Sequence, residues 1–402
     1  MKVAIALALI VTWCPAARAQ QMLVVTAFGD CRVLGFAYPL TNGMEPSITI
    51  GAQNGCSPPK PVTASTLGGP NISAMVGDYI AVADSDNSRV LFFELTGGAA
   101  IAVYGQRTFT SRIASHGPRN LNHAAAVAYE ASSGLLAIVD SSNTRILLYR
   151  VGNPPALKTF QKADLVLGMK RLSQGGGTPN GWPACWGDFP KSYYALSAHD
   201  IASPKYFCNP AAVKFDNAGN LWVADEGNSR VLRFPAPLHT FEPADLVLGQ
   251  SDFTSDAPGL GPNHMAGPND LAFDSAGNLW VADWQNGRAL RFDAPIRNGA
   301  SATLELGQPD FFSRTSRSAP GDVPKCGTEA SAARACDVAG IAVDSNGNVF
   351  LSDFDWNRVL GFVPPFTSGM NANLVLGQSD FSTIWQVDVS RRIGLPVGLF
   401  AK

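Results

Sequence analysis

The sequence predicts an all-β chain of six four-stranded antiparallel units joined in a ring. Three observations carry this prediction: a segment that recurs six times, a second element that follows each copy, and chain ends that are complementary fragments of one unit. The clearest copies are AAVKFDNAGNLWVADEGNSRVLRF (211–234), NDLAFDSAGNLWVADWQNGRALRF (269–292) and AGIAVDSNGNVFLSDFDWNRVLGF (339–362). IAVADSDNSRVLFF (80–93) and LAIVDSSNTRILLY (136–149) keep a shorter core, and TAFGDCRVLGF (26–36) is a degraded sixth.

The first two strands of a unit are short β-branched and aromatic runs such as AVKFD and LWVAD. They are joined by Asn-Ala-Gly-Asn or Ser-Asn-Gly-Asn, whose Gly and Asn tolerate positive φ as a hairpin requires. RVLRF supplies the third strand, ending the segment that numbers the units by Arg32, Arg89, Arg145, Arg230, Arg288 and Arg358. The second element (SITIGAQ, IAVYGQ, ADLVLGM, ADLVLGQ, ATLELGQ, ANLVLGQ) supplies the fourth and places glycines at 51, 105, 168, 249, 307 and 377. Strands apolar on both faces imply neighbours on both sides. The chain opens with LVVTA and CRVLGF, a second and third strand without a first, and closes with GLPVGLFAK (394–402), a first strand alone. One unit is therefore shared between the termini, which leaves no open sheet edge in the ring. The predicted fold is a single six-bladed β-propeller over 20–402.

Six copies patterned on D-x-x-N-x-R-[VI]-L, the better ones preceded by P-x-x-[LIV]-A-[VF]-D-x-x-G-N, resemble NHL repeats over nearly the whole region. The resemblance implies that the Asp, Asn and Arg hold each blade's inner hairpin. It also implies a fold shared by interaction scaffolds, sugar-lactone hydrolases and peptide-amidating lyases, so it speaks to fold more than to function. Ala27 stands where the Asp is expected in blade 1, and the first turn of blade 2 is shortened.

Residues 1–19 combine Lys2, an apolar run from Val3 to Trp13 and an Ala17-Arg18-Ala19 end, the pattern of a cleaved signal peptide. The run is too short for a membrane span and no later window is long and apolar enough. The expected product is exported, periplasmic or extracellular, and monomeric. Only 15% of residues are charged and the formal charge is −2. With no Lys/Arg run longer than Arg391-Arg392, nucleic acid is not an expected partner. Six cysteines beyond the leader imply three disulfides. Repeat topology pairs Cys31 with Cys56, Cys185 with Cys208, and Cys326 with Cys336.

For the acids Asp84, Asp140, Asp225, Asp283 and Asp353, a metal-binding ring competes with a structural reading. A feature repeated at a tight turn is expected to satisfy local N–H groups and pair with its own arginine, so these residues and Arg89, Arg145, Arg230, Arg288 and Arg358 are read as structural. No metal site or cofactor is predicted; a divalent cation such as calcium in the channel stays an open alternative.

Segments 52–71, 106–122, 169–209, 251–267 and 308–337 join one blade to the next and crowd one face, where propellers commonly bind. The insert 169–209 is rich in aromatics, and Trp182, Trp186, Tyr193, Tyr194 and Tyr206 are its candidate ligand-binding residues, against the alternative that they pack the insert down. In the first strands, which line the channel, Asp270 stands where the others carry Ala or Gly. Lys214 stands where they carry Ala or Phe. Either orients a ligand or is solvated by channel water. His123 and His264 fall near the rim. No Ser/His/Asp arrangement, metal-ligand spacing or phosphate loop accompanies them. The expected function is a binding propeller that holds a small molecule, glycan or protein partner on its loop-rich face and channel mouth. The alternative is a lyase or lactonase-like enzyme at the mouth using His123, His264, Asp270 and Lys214.

Overall fold

The computed structural model describes residues 21–51, 61–175, 202–315, 326, 330–384 and 393–402. The leader at 1–19, the insert residues Trp182, Trp186, Tyr193 and Tyr194, and Cys56 and Cys185 lie outside these. Six four-stranded antiparallel sheets form the ring. The inner strands are Ala74–Val76, Ala124–Glu130, Pro210–Phe215, Pro268–Phe273, Val338–Val343 and Pro396–Ala401. The outer, fourth strands are Ile48–Gly51, Ala102–Tyr104, Leu165–Leu167, Leu246–Leu248, Leu304–Leu306 and Leu374–Leu376. As the ends of the sequence imply, Pro396–Ala401 pairs with Met22–Ala27 and completes blade 1. Among the described residues no helix is long and apolar enough to cross a membrane.

Blade faces are apolar on both sides because each is covered: Val223, Leu232 and Val247 of blade 4 share one buried cluster with Leu271, Leu279 and Leu290 of blade 5. The polar groups of each second-to-third turn converge on the motif. In blades 2 to 6 the Arg Nε lies 2.6–2.8 Å from the Asp Oδ2, with both side chains fully buried. The other Asp oxygen accepts a backbone N–H from the loop entering the inner strand: Gly68, Asn122, Cys208, Ala266 and Cys336. The remaining guanidinium donors reach further than the hairpin. Arg288 Nη2 donates to Gly261 O and His264 O in the preceding loop, and Nη1 donates to Phe311 O in the following one. Arg230 does the same with Ser203, Tyr206 and Phe253. The motif therefore staples the interblade loops as well as its own turn.

Two blades depart from the pattern and are compensated. In blade 1, Ala27 cannot accept, and Asp30 takes over, accepting Gly394 N–H at 2.7 Å and pairing with Arg32 at 2.9 Å. In blade 6, Trp356 occupies the position that is Asn in blades 2 to 5, and its ring lies under the Arg358 guanidinium, 4.9 Å from ring centroid.

A second device closes the outer rim. The residue before the fourth strand's approach adopts a left-handed conformation and donates its N–H to the middle carbonyl of the preceding blade's fourth strand: Gly43 to Val375, Phe160 to Val103, Phe241 to Val166 and Gly299 to Val247. The side chain just before it accepts the returning N–H in four junctions: Asn42 from Val375, Thr240 from Val166, Asn298 from Val247, and Ser368 from Glu305. Edge strands that would otherwise expose donors and acceptors are thereby capped.

Candidate functional site

Each inner strand is preceded by a residue with positive φ: Gly69, His123, Asn209, Gly267, Asp337 and Leu395. The strands run away from these residues, which therefore ring the mouth of the channel on the loop-rich face. Directly after each motif position comes a tight turn, a one-turn 3-10 segment in blades 1 to 5 and a plain turn in blade 6, whose first residue is Phe28, Ser85, Ser141, Glu226, Trp284 or Phe354. In five blades its N–H donates to the carbonyl of the left-handed residue, at 3.1–3.3 Å: Phe28 to Leu395, Ser85 to Gly69, Ser141 to His123, Trp284 to Gly267 and Phe354 to Asp337. Ten of the twelve positions about the opening are thus fixed by one backbone bond, and the repeat leaves their side chains free to vary.

That variation divides the mouth. Over blades 3 and 4 it is polar: Ser141 Oγ donates to Asn209 Oδ1 at 2.7 Å and Asn209 Nδ2 donates to Glu226 Oε2 at 2.9 Å. Burial, with Asp225 beside it, pushes the Glu226 carboxyl up to about 8, so it holds a proton at neutral pH. Burial pushes the His123 imidazole below its usual value, so it is neutral as well. Over blades 5, 6 and 1 the mouth is largely apolar, Asp337 apart, with Trp284 and Phe354 edge to face, ring centroids 6.5 Å apart, and then Leu395 and Phe28. The Trp284 Nε1 is buried and finds no acceptor among the described residues.

Asp270 is fully buried rather than bathed in channel water. Its oxygens accept the N–H groups of Leu271 at 2.8 Å and Ile341 at 3.1 Å, and of Leu399, so one carboxylate ties together the inner strands of blades 5, 6 and 1. Burial raises it to about 6, opposed by the Lys214 charge, which puts these two residues in one electrostatic unit. His264 lies on an interblade loop, its Nδ1 3.0 Å from Asn263 Oδ1. Neither histidine has a described contact with Asp270 or Lys214. Tyr206 sits at the outer rim, edge to face with Phe241 at 5.5 Å.

The disulfide Cys326–Cys336 is present, with Cα atoms 5.8 Å apart. Cys31 and Cys208 are also disulfide-bonded, and their expected partners are outside the described residues. Asp337 and Asp355 lie beside Cys326 and Cys336, but the sulfurs are committed to each other and do not ligate. A groove on the opposite face, lined by Trp222, Phe273, Arg233 and Asp216, has its charges occupied: Asp216 accepts from Trp222 and Asn220, and Arg233 pairs with Asp245.

Ser141, Asn209, Glu226 and Trp284 were not singled out from sequence. The available signal was an alignment of the residues that follow each motif Asp, in which Glu226 is the one acid among Ser and aromatic side chains.

A family described as NHL repeat matches residues 207–234, the first three strands of blade 4. A probable peptidyl-alpha-hydroxyglycine alpha-amidating lyase of Caenorhabditis elegans is 31% identical over 109 residues, 26% of this chain and 29% of that one. The match thus spans less than a third of that relative. Among solved structures, a protein of unknown function from Bacteroides caccae is similar at 10% identity and a TM-score of 0.49, covering 95% of this chain and 99% of that one. A chain of a nidogen/laminin complex gives 11% and 0.45 over 95% and 98%. A virginiamycin B lyase from Staphylococcus aureus gives 12% and 0.37 over 74% and 70%. With the buried Asp–Arg motif in five of the six blades, Asp30 and Arg32 standing in for it in blade 1, and a family match on blade 4, the chain is an NHL-repeat β-propeller.

Proposed function

We propose that the protein is a non-catalytic binding propeller, and that it seats a small molecule, glycan or protein side chain over the channel mouth. The two-sided mouth carries this reading: the Ser141–Asn209–Glu226 chain shares the ring with an aromatic arc that includes a Trp284 N–H without an acceptor among the described residues. A neutral carboxyl can both donate and accept, and an aromatic wall covers an apolar ring. The seat therefore suits an uncharged ligand with one polar and one apolar side. A thermal-shift screen against sugars, peptides, lactones and divalent metals tests it, because a ligand that binds the folded state raises its melting temperature. A hit is expected to vanish in Trp284→Ala and to persist in Glu226→Gln, whose amide reproduces the neutral carboxyl. A hit indifferent to Trp284→Ala and lost in Trp182→Ala would move the seat to the aromatic insert.

The partial match to an amidating lyase favours a second reading, in which His123 acts as a base at the mouth. Incubation with a peptidyl-α-hydroxyglycine tests this directly, and turnover lost in His123→Gln would establish it.

A further inference from the structure

The rim device has glycine at its left-handed position in blades 1 and 5, Gly43 and Gly299, and in blade 6 the left-handed Gly369 follows the clamping Ser368. Blades 3 and 4 carry Phe160 and Phe241 there, each at φ 59°. A bulky side chain in that conformation is unfavourable, and glycine would serve the clamp without strain. Each phenylalanine is flanked by two cations. The Arg107 and Arg119 guanidinium carbons lie 4.9 and 5.7 Å from the Phe160 ring centroid, and Lys170 and Lys205 Nζ lie 5.8 and 4.9 Å from that of Phe241.

None of the four has an ion-pair partner among the described residues. The nearby acids are engaged: Asp164 accepts Arg150 N–H, Glu242 accepts His239 N–H, and Asp245 pairs with Arg233. Lys158 and Lys162 add exposed positive charge to the Phe160 loop. Like charges gathered without a counter-ion repel one another, and a cation on a ring face keeps its outward donors available; Arg119 commits one, Nη1, to Phe160 O at 2.7 Å. The same arrangement, built twice at successive blade junctions on a chain that is acidic as a whole, matches a linear anion that spans both.

We infer that the outer rim of blades 2 to 4 is a second, independent binding surface, distinct from the mouth, for an acidic polysaccharide whose carboxylates or sulfates bridge Arg107 with Arg119 and Lys170 with Lys205. Disulfides at Cys31, Cys208 and Cys326–Cys336 place the folded chain in an oxidising compartment, where acidic glycans are the abundant polyanions and nucleic acids are not.

The test is titration of the full chain with polygalacturonate, dextran sulfate and a DNA duplex at about 50 mM salt and again near physiological ionic strength. Binding to at least one glycan, weakening steeply with salt, is expected. The variant Arg107→Gln/Arg119→Gln/Lys170→Gln/Lys205→Gln is expected to bind roughly tenfold or more weakly, and Arg291→Gln/Arg297→Gln on blade 5 to bind as the parent does. Phe160→Gly/Phe241→Gly is expected to melt no lower than the parent yet to lose affinity several-fold, a combination that a merely structural role would not give. Absence of glycan binding at the lower salt, equal losses in the blade 5 control, unchanged affinity in the glycine variant, or tighter binding to DNA than to both glycans would each overturn the inference.

Discussion

Glu305 occupies the middle of a fourth strand, where the corresponding residues of four other blades are Val103, Val166, Val247 and Val375. It is fully buried and its oxygens make no hydrogen bond among the described residues, where its one ion-pair partner is Arg288, with Nη1 at 3.6 Å. Burial outweighs that arginine and raises the carboxyl to about 7. The folded chain thus binds this proton more tightly than the unfolded chain does. Stability from Glu305 is fully present below the unfolded value near 4.5, and is lost as pH rises through about 7. Glu305→Val is expected to leave the melting temperature at pH 5 little changed and to raise it at pH 8, by the equivalent of on the order of 2 kcal/mol. Equal effects at the two pH values would show that the carboxyl is not held protonated. The motif pairs predict the opposite sense. Removing one partner of a buried pair strands the other charge, so Arg230→Ala is expected to cost about 3–5 kcal/mol in denaturant unfolding, together with the loop bonds to Ser203, Tyr206 and Phe253.

At the scale of elements, the departures of blades 1 and 6 show what the motif requires: an acceptor for the N–H entering the inner strand, and an acid for the arginine. Asp30 meets both needs from three residues further along, because the 3-10 turn brings it back over Gly394. Asp30→Ala is therefore expected to destabilise blade 1 as Asp225→Ala destabilises blade 4, although a sequence pattern places the two residues differently. The rim clamps are weaker and more numerous. Asn298→Ala removes one 2.8 Å bond to Val247 N and is expected to cost about 1 kcal/mol; Thr240→Ala, at 3.4 Å to Val166 N, is expected to cost less. Equal costs for the two in chemical denaturation would indicate that the clamps act through packing rather than hydrogen bonding.

For the whole molecule, the ring and its closure were legible from sequence because a blade is a local object: strand periodicity, the Gly/Asn turns and the recurring Asp–Arg spacing all lie within one repeat. The mouth was legible only in part. Asp270 stood out by alignment, but its bonds to Ile341 and Leu399 come from strands 71 and more residues away, so its burial could not be read from its own segment. The Ser141–Asn209–Glu226 chain likewise joins two blades across a left-handed residue. The rim clamps went unread because their glycines and phenylalanines share a conformation and not a chemistry. Removal of the C-terminal strand by truncation before Gly394 is expected to expose the edge of Met22–Ala27 and to replace one cooperative melting transition with broad unfolding or aggregation. The mouth is proposed to hold a ligand without transforming it. This is tested most directly by incubating the full chain, at stoichiometric concentration, with the panel of sugars, peptides and lactones, and following each compound by mass spectrometry alongside the melting temperature. The account predicts a compound that raises the melting temperature and is recovered unchanged; a compound converted by the parent chain and left intact by His123→Gln would contradict it.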